Sequence, residues 1–134
     1  MITKDRYVVS PFCDFNVSYH ILWCTRCRRK VLVNGADERL KQVLREKAET
    51  IDVTIKEVEV LPDYVHMMVK TTPAIPVQHI VNQLKKHSSA VLDKEFPKIK
   101  GGALSLWTRS YYVETFGFIS YEGIDRYLEK QKKG

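Results

Sequence analysis

The chain has 134 residues, of which 44% are hydrophobic, and a formal net charge of +6. This length and apolar share fit one globular domain, and they exclude a chain too small to fold without disulfides or metals. An excess of basic residues favours polyanionic partners, and nucleic acid is the first of them. Because no apolar run is long enough for a signal peptide or a membrane span, we expect a soluble cytoplasmic protein.

The predicted elements follow one another along residues 1–134, which we treat as a single domain. About the first 14 residues form a loosely specified N-terminal arm, and the last element belongs to a C-terminal segment of about 118–134. Apolar residues at helical spacing predict helices, and β-branched or alternating runs predict strands. The predicted order is a strand at 17–23, a helix at about 36–51, strands at 53–61 and 65–71, a helix at about 76–95, a strand near 111–115 and a helix at about 120–132.

This order, β-α-β-β-α-β followed by a terminal helix, predicts an α+β fold. It is the order of ferredoxin-like and RRM-like domains, in which two helices cover one face of an antiparallel sheet. The other face of the sheet is then available for a functional site, for a partner or for the last helix.

The two middle strands form a predicted hairpin, because Pro62 and Asp63 between them are turn residues. A two-residue loop fixes the register and places Glu59 opposite His66 on one face of the sheet. The alternation of apolar and polar residues is interrupted near Lys56, which predicts a β-bulge there. The apolar pairs expected on the other face are Val60 with Val65 and Val58 with Met67.

The predicted Glu59–His66 pair is a candidate metal site. An imidazole nitrogen and a carboxylate oxygen aimed at one point are reasonable ligands for Mg²⁺ or Mn²⁺. His20 supports this interpretation, because its strand should lie beside the hairpin. The alternative is an ordinary Glu–His pair on a half-exposed sheet, which is the more frequent arrangement.

The last predicted helix carries Tyr127 and Gln131 one turn apart, so the two side chains share a face. A nucleophilic tyrosine needs a group that stabilises its phenolate and a metal that polarises the phosphate it attacks. The helix alone shows neither, and a tyrosine flanked by Ile124 and Leu128 is more often part of a core or an interface.

Two basic clusters are candidates for binding a phosphate backbone. Aromatic residues lie near both in the sequence, so that stacking on unpaired bases is conceivable. The alternative is a solvated basic surface with the aromatic residues in the core. The clusters consist of Arg26, Arg28, Arg29 and Lys30, and of Lys85 and Lys86.

The three cysteines are Cys13, Cys24 and Cys27. Their odd number argues against a complete disulfide framework and fits a reducing compartment. The pair Cys24 and Cys27 has C-x-x-C spacing, but a structural zinc site normally needs a second pair of ligands. We therefore expect small thiols, buried or half-buried, rather than zinc ligands.

Six segments of the sequence, in this order, resemble the small single-tyrosine HUH transposases of bacterial and archaeal insertion sequences. Each segment alone is weakly specific, but the ordered set spans nearly the whole chain. The segments are YHILWC at 19–24, RRKVL at 28–32, LPDYVHMMV at 61–69, LKKHSS at 84–89, LWTRSYYV at 106–113 and RYLEKQ at 126–131.

The resemblance implies an enzyme that cuts and rejoins single-stranded DNA. A tyrosine on the C-terminal helix attacks a DNA phosphate, forms a 5′-phosphotyrosine link and releases a 3′-hydroxyl. A later attack by a 3′-hydroxyl on this link rejoins the DNA. Members of the family act as homodimers that exchange their C-terminal helices, and they recognise hairpins at the ends of their own element. A divalent metal, Mg²⁺ or Mn²⁺, is held by a histidine–hydrophobic–histidine motif on the sheet.

Mapped onto this chain, the resemblance makes Tyr127 the nucleophile and His66 a metal ligand. Gln131 is implied as a further ligand from the tyrosine's helix, and Glu59 is the cross-strand candidate. The residues that support the metal site are Tyr64, His20 and Asp63.

One departure from the family motif is that Tyr64 stands where the first histidine is expected. A phenol with a pKa of about 10 is a poor ligand for Mg²⁺ at neutral pH. Three outcomes follow: the remaining ligands and water suffice, Tyr64 acts as a hydrogen-bonding partner, or the chain is a weakened or inactive copy that only binds hairpin DNA.

Two other classes of protein remain open on the sequence alone. An RRM-like nucleic-acid-binding module shares the order of elements, but it needs aromatic residues on its central strands and no metal. A structural metal-binding or dimerisation protein is the third class, and the basic charge together with the ordered motifs argues against it.

Overall fold

The computed structural model describes residues 17–101, 103–115 and 121–132, with the backbone alone given for 121–123. The predicted arm at 1–14 and the predicted start of the last helix at residue 120 lie outside these residues. Every predicted helix and strand is present, with bounds shifted by no more than a residue or two. The elements are β1 (Val17–Cys24), a 3₁₀ turn (Arg26–Arg28), α1 (Ala36–Thr50), β2 (Thr54–Val60), β3 (Tyr64–Thr71), α2 (Val77–Glu95), β4 (Tyr112–Thr115) and α3 (Tyr121–Gln131).

The four strands form one antiparallel sheet in the order β2-β3-β1-β4. The two central strands, β1 and β3, are paired along their whole lengths from Val17 with Thr71 to Cys24 with Tyr64. The predicted α+β class, an antiparallel sheet with helices, is confirmed. His20 and His66 therefore lie on adjacent strands, as the sequence predicted.

The register of the hairpin is also as predicted. Glu59 pairs with His66, Val58 with Met67, and Val60 with Val65. The pairing shifts between Ile55 and Glu57, which is the β-bulge expected near Lys56. The bulge restores the alternation, so that both Glu57 and Glu59 share a face with His66.

One face of the sheet, called here the inner face, carries the hydrophobic core. Its residues Ile21, Met67 and Val69 are almost completely buried, and they join one cluster with the apolar stripes of α1 and α2. Burial of such side chains stabilises a fold by about 1.5–3 kcal/mol each. The stripes consist of Leu40, Leu44 and Ala48 of α1, and of Ile80, Val81, Leu84 and Leu92 of α2.

The opposite face, called here the outer face, is partly covered by α3. The Tyr127 ring of α3 lies 6.1 Å from the Tyr112 ring of β4, and Leu22 and Cys24 beneath this end of the sheet are buried. The β2–β3 end of the same face stays open. Among the described residues, no helix is both long enough and apolar enough to cross a membrane.

Candidate active site

The open part of the outer face holds a cleft of about 350 Å³, whose polar lining is His20, Glu57, Glu59 and His66. The rings of His20 and His66 are 5.5 Å apart between centroids and tilted by 33°. His20 Nδ1 and His66 Nε2 are buried and have no hydrogen-bond partner. Buried polar atoms are nearly always satisfied, so these two nitrogens have the capacity to bind a ligand in the cleft.

The electrostatic setting of the cleft keeps His66 neutral. Burial lowers the pKa of the His66 imidazole, the neighbouring His20 lowers it further, and Glu59 and Glu57 partly oppose both effects. A neutral imidazole has a free nitrogen lone pair, which is the form that binds a metal. The His66 imidazole is therefore in its metal-binding form at neutral pH.

The cleft contains donors that suit a divalent cation, although their side chains do not converge. Among the described residues, no group of three or more His, Cys, Asp and Glu side chains is placed to hold a metal. Two imidazoles and two carboxylates that share one cleft nevertheless have the chemistry that Mn²⁺ accepts. The two orphaned nitrogens of His20 and His66 supply the strongest argument for the fit.

Tyr64 lies at the same end of the sheet as Cys24, its partner on β1. Burial, followed by the negative charges of Asp63 and Glu59, raises the pKa of the Tyr64 phenol. The phenol is therefore neutral at physiological pH, and it can act as a hydrogen-bonding group more readily than as a metal ligand.

Tyr127 lies outside this cleft, against β4 and the end of β1. Its hydroxyl donates a hydrogen bond of 3.0 Å to the carbonyl oxygen of Ser110 and accepts one of 3.2 Å from the Ser110 hydroxyl. Burial is the main reason that the pKa of the Tyr127 phenol is raised, and the Ser110 hydrogen bond opposes it. In this position Tyr127 is held as a neutral phenol.

Gln131, one turn further along α3, accepts a hydrogen bond of 3.0 Å from the Thr108 hydroxyl. Arg28 donates to the Leu128 carbonyl of the same helix at 3.2 Å and forms an ion pair with Asp63, 2.7 Å between Nη2 and Oδ2. Hydrogen bonds from Thr108, Ser110 and Arg28 thus hold α3 to the segments that flank the strands. We call residues 108–110, together with Arg28, the α3 dock.

The structure therefore divides the predicted site residues between two places. His66, His20 and Glu59 line the cleft, whereas Tyr127 and Gln131 contact the α3 dock. Tyr112 contacts Tyr127 and pairs with Leu22, and Leu22 pairs with His66 on its other side. The width of β1 accordingly separates the two groups on the same outer face.

The residues that sequence reasoning missed are Thr108 and Ser110, which hold Gln131 and Tyr127, and the structural role of Asp63. Thr108 and Ser110 lie in the 106–113 segment used for the family resemblance, so the motif marked the region without giving its role. Cys24 is buried beneath Tyr127, and that burial raises the pKa of its thiol to about 11. Cys24 and Cys27 are free thiols, the second exposed, while Cys13 lies outside the described residues.

The predicted basic residues occupy several surroundings. Arg26 and Arg29 are half-buried and Lys30 is exposed, all near the end of β1. Lys86 lines a groove with Lys47 and His87 on the helical layer, away from the outer face. The roles of these side chains in DNA binding stay predictions.

Comparison with known proteins identifies a family for this chain. Residues 13–131 match the family model described as "Transposase IS200 like". The chain is 31% identical over 121 residues to the ISDra2 transposase TnpA of Deinococcus radiodurans, covering 87% of this chain and 85% of that protein. It is 30% identical over 125 residues to the transposase for insertion sequence element IS200 of Salmonella typhimurium, covering 90% and 82%.

Solved structures resemble the fold as a whole. A crystal structure from Deinococcus radiodurans, described as that of a candidate transposase, superposes with a TM-score of 0.82 at 31% identity, covering 92% of this chain and 97% of that one. A REP-associated tyrosine transposase bound to a REP hairpin superposes with a TM-score of 0.55 at 13% identity, covering 96% and 69%. The second likeness concerns the fold alone.

Proposed function

Because the chain belongs to the family of IS200-like transposases, we propose that it cuts and rejoins single-stranded DNA at insertion-sequence ends, with Tyr127 as the nucleophile. The observation that carries this proposal is the placement of α3. It brings Tyr127 and Gln131 to the face of the sheet that also holds the His66 cleft. Tyrosine, amide and imidazole groups on one face suit phosphoryl transfer.

In the proposed reaction, Tyr127 Oη attacks a backbone phosphorus. The Oη–P bond forms as the P–O3′ bond breaks, the phenol loses its proton, and the departing 3′ oxygen gains one. The 5′-phosphotyrosine conserves the energy of the broken phosphodiester, so a 3′-hydroxyl can reverse the step without an external energy source. Since burial keeps Tyr127 neutral in the dock, the phenol must leave Ser110 to react.

We propose that His66 and Glu59 hold a divalent metal, Mg²⁺ or Mn²⁺, with Gln131 as a further ligand. His20, Tyr64 and Asp63 support these ligands: His20 beside the His66 ring, and Asp63 through Arg28. When bound, the metal polarises the scissile phosphate. Gln131 has to exchange its Thr108 hydrogen bond for this role, which requires α3 to shift on the sheet.

The proposed DNA partner is a hairpin at the element's end. The net charge of +6 supports binding to a phosphate backbone, and one structural neighbour is bound to a REP hairpin. The proposed assembly is a homodimer that exchanges its C-terminal helices, acting in the cytoplasm. It is supported by the few polar contacts that hold α3 within the single chain.

The test is a covalent-adduct assay on denaturing gels, with single-stranded DNA from the ends of the element and with Mg²⁺, Mn²⁺ or chelator. Tyr127→Phe should lose the adduct completely while keeping the fold and hairpin affinity. The control is Tyr19→Phe, a tyrosine packed against the inner-face core, which should keep the adduct. A Tyr127→Phe protein that still forms the adduct would exclude Tyr127 as nucleophile.

A second candidate function is a hairpin-binding copy with weak or no cleavage, and the surroundings of Tyr64 favour it. A neutral phenol occupies the position of the first motif histidine, so the cleft loses one ligand. The discriminating variant is Tyr64→His. If only this variant forms a metal-dependent adduct, the native chain is a DNA-binding remnant; if the native chain forms it equally well, the second candidate is wrong.

A further inference from the structure

Lys85 on α2 is oriented into the protein rather than towards solvent. Its ammonium donates hydrogen bonds to the carbonyl oxygens of Thr108 and Ser110, at 2.7 and 2.8 Å. The same ammonium lies 5.8 Å from the centre of the Trp23 ring and 5.9 Å from that of Tyr111. The amine therefore sits between two aromatic rings with its hydrogen atoms directed at the main chain of the α3 dock.

A lysine in this setting loses much of its hydration. Burial lowers the pKa of the Lys85 ammonium to about 8, whereas the two carbonyl oxygens favour its charged form. Burying an ammonium is costly unless it is well paired, and the hydrogen bonds to the Thr108 and Ser110 carbonyls offset that cost here. A lysine that served only to attract DNA would gain nothing from such burial.

The two carbonyls belong to the residues that receive α3. The Ser110 carbonyl also accepts the Tyr127 hydroxyl, and the Thr108 hydroxyl donates to Gln131. Ser88, one turn after Lys85, accepts a hydrogen bond from the Trp107 indole at 3.0 Å, which holds the same segment to α2. An unbroken path of hydrogen bonds thus runs from α2 through residues 107–110 to the nucleophile helix.

We propose that Lys85 is a positioning residue for the nucleophile helix: it fixes the Thr108 and Ser110 carbonyls, and through them the places of Tyr127 and Gln131. This role differs from the direct DNA contact that the sequence predicted for Lys85, and the two make different predictions. The effect on activity rests on the proposed function, whereas the effect on α3 does not. Because Tyr127 and Gln131 must leave these contacts to react, a weaker dock should release the helix more readily.

The test combines hydrogen–deuterium exchange, hairpin affinity and adduct formation on the full chain. Lys85→Met keeps the volume between the two rings and removes the donors. Lys85→Arg keeps the charge, but a planar guanidinium cannot aim at both carbonyls from the same point. The controls are Lys94→Met, an exposed lysine on the same helix, and Lys86→Met, a predicted DNA-binding lysine.

In both Lys85 variants we expect amide exchange in 121–131 to rise about tenfold relative to α1. Because Tyr127 must leave Ser110 to react, the weaker dock should raise the rate of adduct formation at saturating DNA by up to about tenfold, with hairpin affinity within about twofold of wild type. Lys94→Met should match wild type throughout. Lys86→Met should weaken hairpin binding and reduce its dependence on salt concentration without changing exchange in α3.

Unchanged exchange in α3 for Lys85→Met would overturn the proposal. So would a pattern like that of Lys86→Met, with binding restored by Lys85→Arg, because a DNA contact tolerates either cation. If Lys85→Met does not fold, the exchange measured for Lys85→Arg decides. Failure of the proposed function has a different signature: Tyr127→Phe would keep the adduct, while the exchange result for Lys85 would still stand.

Discussion

The two faces of the sheet differ in what holds them. On β3, Val65, Met67 and Val69 point inwards and are almost fully buried, whereas His66 and Met68 point outwards and are half-exposed. The inner face is held by a continuous apolar cluster, whereas the open β2–β3 part of the outer face carries the polar cleft. For β3, stability therefore comes mainly from the inner side, which leaves the outer side free to carry unsatisfied polar groups.

The largest difference in stability between the two faces is expected for adjacent methionines on opposite sides of β3. Met67→Ala should lower the free energy of unfolding by about 2–5 kcal/mol, because it opens a cavity in a close-packed core. Met68→Ala, beside the cleft, should cost less than about 1 kcal/mol. Urea titration of both variants measures the difference. Equal losses would show that the outer face also contributes a packed core.

A medium effect is expected at the ion pair between Asp63 of the hairpin loop and Arg28 of the 3₁₀ turn, whose guanidinium also contacts α3. Asp63→Asn should destabilise the protein by about 2 kcal/mol, because the largely buried Arg28 loses the carboxylate that neutralises it. The matched control is Glu38→Gln, in an exposed pair with Lys41, which should cost about 0.5 kcal/mol or less. Thermal and urea unfolding measure both variants. If Asp63→Asn and Glu38→Gln lower the free energy of unfolding by similar amounts, the Asp63 pair has no special structural role.

The smallest expected effect is a pH dependence at the cleft. The folded-state pKa of His66 is lowered, so below about pH 6.5 the unfolded chain binds a proton that the folded chain resists. Stability should therefore fall as pH drops from about 6.5 towards the folded pKa, by at most about 1.4 kcal/mol per pH unit.

In His66→Asn, measured by urea unfolding in chelator, this slope should flatten. The control, His79→Asn, replaces an exposed histidine on α2 and should retain the wild-type slope. A slope unchanged by His66→Asn would mean that another group causes the acid sensitivity.

Periodicity predicted the sheet well because alternation and turn chemistry are local. The Glu59–His66 pair, the bulge near Lys56 and the nearness of His20 to His66 all followed from a two-residue loop and a strand order. The α3 dock could not be predicted from periodicity or turn chemistry. The partners of Tyr127 and Gln131 come from residues 108–110, whose side chains belong to no regular element and have no periodicity to read.

The surroundings of Lys85 could not be predicted for the same reason. In the sequence it stands beside Lys86 as half of a basic pair, and only tertiary packing shows that one amine enters the protein while the other remains outside. Charge in a sequence does not distinguish a lysine that pairs with main-chain carbonyls from one that meets solvent.

The bulge at Lys56 has a consequence for any attempt to redesign this protein. If Lys56 were kept without the bulge, it would pair with Val69, and Ile55 would turn away from the core. Deletion of Lys56 instead leaves Ile55 opposite Val69, so a single-codon deletion should be tolerated better here than inside β3, where it would turn one part of the strand over. A graft of the hairpin onto another scaffold can therefore use the shorter β2.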